Sequence, residues 1–257
     1  MYRTLRLAFS DRVATLTLQR PQQRNAMSTE LMREMIVCAN ELAARDDIDV
    51  VIVAGSGDCF SAGADLKDSQ RWANDASTLS QRREIASLGL RMARAWEELP
   101  QITIAAIEGY AIGGGLALAV ALDWRVAARN AFVSLPEISL GIPLTWGTIP
   151  RLVNLVGPSK AKRLTILCER MSAKTALDMG LVDELSAPGK AIAVARTLAA
   201  RVLAMPRHAV RISKEACNAY ANQGAQATSF MAHDQLLLAA ASPESRAPRE
   251  AVLLRRQ

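Results

Sequence analysis

The chain has 257 residues, half of them apolar and only 4% aromatic, with a formal net charge of +6. That length admits one large domain or one domain with a small appendage, and a core of Ala, Leu, Ile, Val and Met favours helices packed on parallel strands over an all-β sandwich. The basic residues are dispersed, with pairs at Arg82-Arg83 and Arg255-Arg256, so no run marks a nucleic-acid stripe; a mild attraction to a phosphorylated ligand stays open.

The opening segment alternates in polarity, with Leu5, Leu7 and Phe9 before Ser10-Asp11-Arg12 and Val13, Leu16 and Leu18 after it. It reads as a hairpin. A loop follows from Arg20 to Ala26. Ser28 is placed to cap a helix whose apolar face is Leu31, Met35, Cys38, Ala39 and Leu42. Asp49 to Ala54 reads as a buried strand, and the polar stretch Asp68 to Ser80 as loop or poorly formed helix. An amphipathic helix is predicted from Gln81 to Glu98, stopped by Pro100. A second buried strand spans Ile102 to Ile107, then an apolar helix Gly113 to Ala121, then short strands at Trp124 to Ala128 and Ala131 to Leu135.

From Gly147 onward strand signals nearly vanish. Helices are predicted at Thr148–Val156, Ser159–Leu167, Ala173–Met179, Gly189–Ala204, Arg207–Ala221 and Gly224–Ala241. The expected architecture is therefore an α/β core of repeated ββα units over 1–195, with a helical subdomain over 196–257.

Four separated cysteines, with no CxxC or CxxH spacing, argue against a zinc site or a redox pair and suit a reducing cytoplasm. The N-terminus has no apolar run of a secretory signal, and the most apolar stretch, Gly109 to Leu122, is too short and glycine-rich to span a bilayer. The two histidines, His208 and His233, read as surface or packing residues, and no G-x-S-x-G elbow occurs.

Chemistry is concentrated in two loops. Each buried strand runs into a loop of small residues: Phe60-Ser61-Ala62-Gly63-Ala64-Asp65-Leu66-Lys67 after the first, Gly109-Tyr110-Ala111-Ile112-Gly113-Gly114-Gly115 after the second. A strand, tight turn and helix start leave backbone N–H groups without intrahelical partners. Two such loops can each aim one N–H at the same oxygen, which is the geometry of an oxyanion hole. Each loop alone is equally a close strand-to-helix crossover. Glu137, in Leu135-Pro136-Glu137-Ile138-Ser139-Leu140-Gly141, is the best candidate acid/base: a dry pocket would raise its pKa toward neutrality. It also reads as a helix-start carboxylate favoured by the dipole.

Together with Arg20-Pro21…Arg24-Asn25-Ala26 and the late Met179-Gly180-Leu181-Val182-Asp183, these segments resemble, in order and spacing, the enoyl-CoA hydratase/isomerase (crotonase) family across nearly the whole chain. The resemblance implies a spiral of ββα turns whose C-terminal helices trimerise, trimers often pairing into hexamers. It implies an acyl-CoA thioester substrate and no cofactor apart from the coenzyme A the substrate carries; the dispersed charge and the lack of a spanning stretch argue against nucleic-acid and membrane partners. It places the oxyanion amides at Ala64 and Gly114, with Glu137 as acid/base. Arg24, Ala26, Ala62, Asp65 and Leu66 become the wall around coenzyme A, and Lys67 a phosphate contact.

Two departures stand out. Where hydratases of the family carry a second glutamate this chain has Ala117, which cannot hold a proton. Where Pro-Gly-x-Gly-Gly is common, it has Pro143-Leu144-Thr145-Trp146-Gly147. Trp146 then reshapes the acyl pocket, or is plain core packing. One-glutamate relatives include isomerases, so the expected activity is hydratase-like lyase chemistry with isomerase as the alternative. A non-catalytic acyl-CoA binder is a further alternative. Asp68, Glu108 and Tyr110 are candidate helpers that also read as surface charges or structural hydrogen bonds.

Overall fold

A computed structural model describes residues 2–72, 77–225, 229, 231–242, 247, 248 and 251. The predicted hairpin forms as β1 (Leu5–Ser10) against β2 (Val13–Leu18). From β2 the main sheet continues in parallel through β3 (Val50–Gly55), β4 (Ile102–Ile107), β6 (Trp124–Ala128) and β9 (Glu184–Ser186). Parallel strands of this kind are covered on both faces. β4 is buried along its whole length. Its side chains alternate between two cores: Ala105 and Ile107 join Val51, Val53 and Ala127 on one face, while Ile102, Ile104 and Ala106 join Val50, Ile52 and Val126 on the other.

Two helices cover the first face. Ser28 caps α1 (Thr29–Ala43), its side chain accepting from the Leu31 amide as predicted. Thr78 opens α3 (Leu79–Glu97) with a capping box to Gln81. The second face is covered by α7 (Ala191–Leu203), through Ala191, Ala195, Ala199 and Val202. That small-residue stripe lets the helix lie close to the sheet. Residue 195, the expected boundary, sits inside this helix.

A smaller sheet stands beside the first, with β7 (Phe132–Ser134) between β5 (Tyr110–Ile112) and β8 (Met171–Ser172). The chain passes from β4 to β5 and from β6 to β7, crossing between sheets, which produces the expected ββα spiral. Gly109 makes the first crossing: its φ is +58°, and a Cβ there would meet Asp58 O at 2.0 Å.

Three strands escaped the sequence reading. β5 lies inside the second glycine loop, where no apolar alternation marks it. β8 and β9 have two and three residues and follow position 147, after which the sequence carries almost no strand signal. They form because the edges of β7 and β6 offer ladder partners, a nonlocal cause. The polar 68–80 stretch contains a short α2 (Ser69–Trp72), and positions 73–76 lie outside the described residues. The helices predicted at Thr148–Val156 and Ser159–Leu167 form α5 (Thr148–Ile166), kinked where Gly157 leaves helical geometry. After α4 (Gly114–Ala119) and α6 (Ala173–Asp178), the chain ends in α8 (Arg207–Ala221) and α9 (Ala232–Ala241). Part of the helix predicted at Gly224–Ala241 lies outside the described residues.

A buried cation ties α8 to the sheet. Lys214 Nζ donates to Gln101 O at 2.8 Å and to Asp123 Oδ2 at 2.6 Å, and Asp123 also accepts from the Thr103 amide and hydroxyl. Removing one partner of a buried pair leaves the other charge unmatched. Lys214→Met is expected to lower unfolding stability by about 3 kcal/mol, read as a lower urea midpoint; an unchanged midpoint would mean α8 is held by its apolar contacts alone.

Candidate active site

Asn25 fixes the first loop from below. Its Nδ2 donates to Ser56 O and Cys59 O, and its Oδ1 accepts from the Arg20 amide. Met27 then pairs with Ala64 in a parallel bridge: the Met27 amide donates to Gly63 O at 2.7 Å, and the Asp65 amide donates to Met27 O at 3.2 Å. In this pattern the partner's neighbours make the bonds, so the N–H of Ala64 itself faces away from Met27.

The second loop is zipped to the first. The Ser61 amide donates to Tyr110 O, and the Ile112 amide donates to Ser61 O at 3.0 Å. Gly115 must be glycine for this approach, because a Cβ would lie 2.7 Å from Ser61 Cβ. Gly114 opens α4, so its N–H has no intrahelical acceptor. The two amides are neighbours: a Cβ on Gly114 would sit 3.4 Å from Ala64 N, and one on Gly63 would sit 3.3 Å from Gly114 N. Among the described residues neither amide finds an acceptor. Both line a cavity of about 340 Å³.

Glu137 reaches the same cavity. It follows Pro136 and opens a short 3-10 turn, Ile138–Leu140, closed by Gly141 in the left-handed region. Its Oε1 presses against Gly113, where a Cβ would approach to 2.5 Å. Its Oε2 is shut off from water and has no hydrogen-bond partner among the described residues. Burial therefore pushes the carboxyl from its ordinary value up to about 7, with its own backbone amide pulling weakly the other way. Two N–H groups without an acceptor among the described residues and one near-neutral acid thus line one cavity.

Ala117 lies on α4 and lines the cavity, buried. Trp146 forms another wall. Its indole fills the space left by two glycines: a Cβ on Gly89 would fall 2.0 Å from its Nε1, and one on Gly114 2.6 Å from its Cη2. The residue takes a φ of +62°, and its carbonyl accepts from Arg151 Nη1. Arg151 is held in turn by Glu97 through two bonds of 2.8 and 2.7 Å. Trp146 is thus both part of the core and a wall of the cavity.

Arg24, Ala26, Ala62, Asp65, Leu66 and Lys67 line an adjoining hollow of about 850 Å³. The two hollows share Arg24, Ala62, Ala64 and Leu66. Asp65 is engaged within the protein: it pairs with Arg20 at 2.9 Å and accepts from the Lys67 amide. Arg24 and Lys67 are exposed cations on this hollow.

The candidate helpers separate. Glu108 lies away from the cavity, accepting from the Gly189 and Ala191 amides at the start of α7. Asp68 accepts from the Thr29 and Gln70 amides, holding the starts of α1 and α2. Tyr110 lines the cavity and packs on Phe132, and burial, with a hydrogen bond to Cys59, pushes its hydroxyl up to about 12. His208 is exposed on α8, and His233 meets Arg83 on α9; neither lines the cavity. Among the described residues no group of three or more His, Cys, Asp or Glu is placed to hold a metal ion, and no helix is long and apolar enough to cross a membrane.

Two features had no signal in the sequence. Arg71, from α2, projects into the cavity. Leu66, Leu140 and Ile142 join Leu236 and Leu237 of α9 in a separate apolar cluster, so the last helix borders the site.

Residues 8–252 match the family model for enoyl-CoA hydratase/isomerase. This chain belongs to that family. The Bacillus subtilis (strain 168) protein YngF, provisionally named an enoyl-CoA hydratase/isomerase, is 40% identical over 81% of this chain and 79% of its own length. The crotonyl-CoA hydratase of Syntrophomonas wolfei subsp. wolfei is 34% identical over 84% of this chain and 82% of its own. The crystal structure of an enoyl-CoA hydratase/isomerase from Xanthobacter autotrophicus Py2 superposes with a TM-score of 0.89 at 29% identity, covering 100% of this chain and 94% of that one. The crotonase fold expected from the motifs is the fold observed.

Two consequences can be measured. Because the folded state holds the Glu137 proton more tightly than the unfolded chain does, this group favours folding below its ordinary pKa, and that contribution is lost as pH rises through about 7. Glu137→Gln is expected to be the more stable protein at pH 8 by up to about 3 kcal/mol, with the difference gone near pH 4; parallel urea curves at both pH values that show no such divergence would place the carboxylate in water. Gly114→Ala must displace the Trp146 ring, and should cost about 1–3 kcal/mol in the same assay.

Proposed function

We propose that this family member processes an acyl-CoA thioester by stabilising its enolate, with Glu137 as the single acid/base, and that the net reaction is hydratase-like. The observation that supports the reading is the adjacency, on one cavity, of the Ala64 and Gly114 amides, which have no acceptor among the described residues, and a buried carboxyl poised near neutrality. In this reading the thioester oxygen accepts from both amides as negative charge develops on it. Water bonds the β-carbon, Glu137 gives its proton to the α-carbon, and the proton shed by the water returns to Glu137. Coenzyme A, part of the substrate, lies along the adjoining hollow toward Arg24 and Lys67, whose charges suit its phosphates.

Ala117 favours a second reading. With no second carboxyl there to orient a water, Glu137 could instead carry a proton between the α and γ carbons, shifting the double bond. The assembly proposed is a homotrimer or a pair of trimers. Its support is the apolar surface exposed on the C-terminal helices, with Ile212 65%, Tyr220 79% and Leu238 77% exposed. A cytoplasmic location accords with the four free cysteines.

Purified protein is given a 2-enoyl-CoA and, separately, a 3-enoyl-CoA. The expected outcome is a 3-hydroxyacyl-CoA from the former, lowered at least about 100-fold by Glu137→Gln. A double-bond shift without hydration selects the isomerase. Tight binding without turnover on either substrate selects a non-catalytic binder, and full activity in Glu137→Gln removes the single-glutamate mechanism.

A further inference from the structure

One part of the acyl cavity's wall is apolar, formed by Ile112, Ala117, Leu140, Ile142, Leu144 and Trp146. Into it projects a cation that a purely hydrocarbon chain would not use. Arg71, on the short helix α2, lies with its guanidinium carbon 5.5 Å from the centre of the Trp146 ring. The same ring touches Gly114, so the guanidinium stands on the indole that borders the oxyanion amides. A cation within about 6 Å of an aromatic face is attracted to it, and a guanidinium presents a planar fork of donors that matches a carboxylate.

The position distinguishes the acyl group from coenzyme A. Arg71 lines the inner cavity with Glu137 and is absent from the adjoining hollow, where Lys67, Ser69 and Gln70 of the same segment are found. The other two cavity arginines, Arg24 and Arg170, are exposed, with Arg170 lying over Phe132. Arg71 is half-buried. The rise at Glu137 is caused by its burial.

We propose that the acyl group this site takes ends in a second carboxylate, which pairs with Arg71 while the thioester oxygen meets the Ala64 and Gly114 amides. The substrate class is then a short dicarboxylic enoyl-CoA, a narrowing that rests on the acyl-CoA reading above. Burial supports it by pulling the guanidinium down to about 10, with Asp68 opposing: an incoming anion would restore favour to the charged form. Arg71 also has interactions of its own within the protein, and a ligand carboxylate would add to these or exchange with them. A bidentate guanidinium–carboxylate contact brings both charge and direction, and a neutral chain gains neither.

The test separates binding from turnover. Glutaryl-CoA and hexanoyl-CoA, which lack the reactive double bond, are titrated calorimetrically into the full-length protein and into Arg71→Met. The unmodified protein is expected to bind glutaryl-CoA at least 10-fold more tightly than hexanoyl-CoA, and Arg71→Met to erase that ratio, with Arg71→Lys recovering part of it. Glutaconyl-CoA and trans-2-hexenoyl-CoA are then compared as substrates, with the same ratio expected mainly in KM. Should Arg71→Met fail to fold, the ranking of the two ligands by the unmodified protein still decides. Equal affinity, or a preference for hexanoyl-CoA, overturns the assignment while leaving the acyl-CoA reading standing. The expected preference without turnover of either enoyl-CoA upholds the assignment and removes the enzymatic reading. Binding of neither acyl-CoA removes both.

Discussion

The pairing of Ser61 with Tyr110 and Ile112 is the constraint on which the site rests. One residue of the first loop donates to the second and accepts from it, and its side chain occupies the space that Gly115 leaves open. Its hydroxyl also donates to Asn25 O and accepts from the Gly63 amide. Three segments distant in sequence are thereby locked at backbone distance. The amides of Ala64 and Gly114 become neighbours because the backbones on either side of them are already bonded. Donors prepared in this way need no reorganisation when charge develops before them.

Glu137 shows the opposite economy. Its Oε2 is buried with no partner among the described residues, an arrangement that works against folding once the group ionises. Apolar neighbours, the pressing Gly113 backbone and the short turn after Pro136 keep it there nonetheless. A buried carboxyl whose ionisation works against folding, set on a cavity, is the pattern expected where a proton has to move near neutral pH.

Trp146 links this chemistry to the scaffold. The indole needs Gly89 on α3 and Gly114 on α4 to be small, and its backbone needs Arg151 on α5, which is anchored by Glu97 on α3. One residue therefore joins three helices, walls the cavity and lies beneath Arg71. Pocket shape and helix packing are coupled here, so a change to the scaffold at position 89 or 151 is also a change to the site.

The two buried strands, the small-residue loops after them and the lone Glu137 are local patterns, and each could be read from neighbouring residues alone. The capping of α1 by Ser28 is equally local. The family's segments carried the expectation that Ala64, Gly114 and Glu137 belong together, and the resemblance also marked Ala117 as a departure. Other features depend on distant partners. β8 and β9 are strands because an open sheet edge receives them, and Glu108 serves α7 across 81 and 83 positions of sequence. Arg71 came from a stretch that reads only as polar. Its place over Trp146, like the seat of that indole between two glycines, arises where helices cross. Periodicity and turn chemistry act over a few residues and are written in order along the chain; contacts between elements are set by packing in three dimensions, which only the folded structure decides.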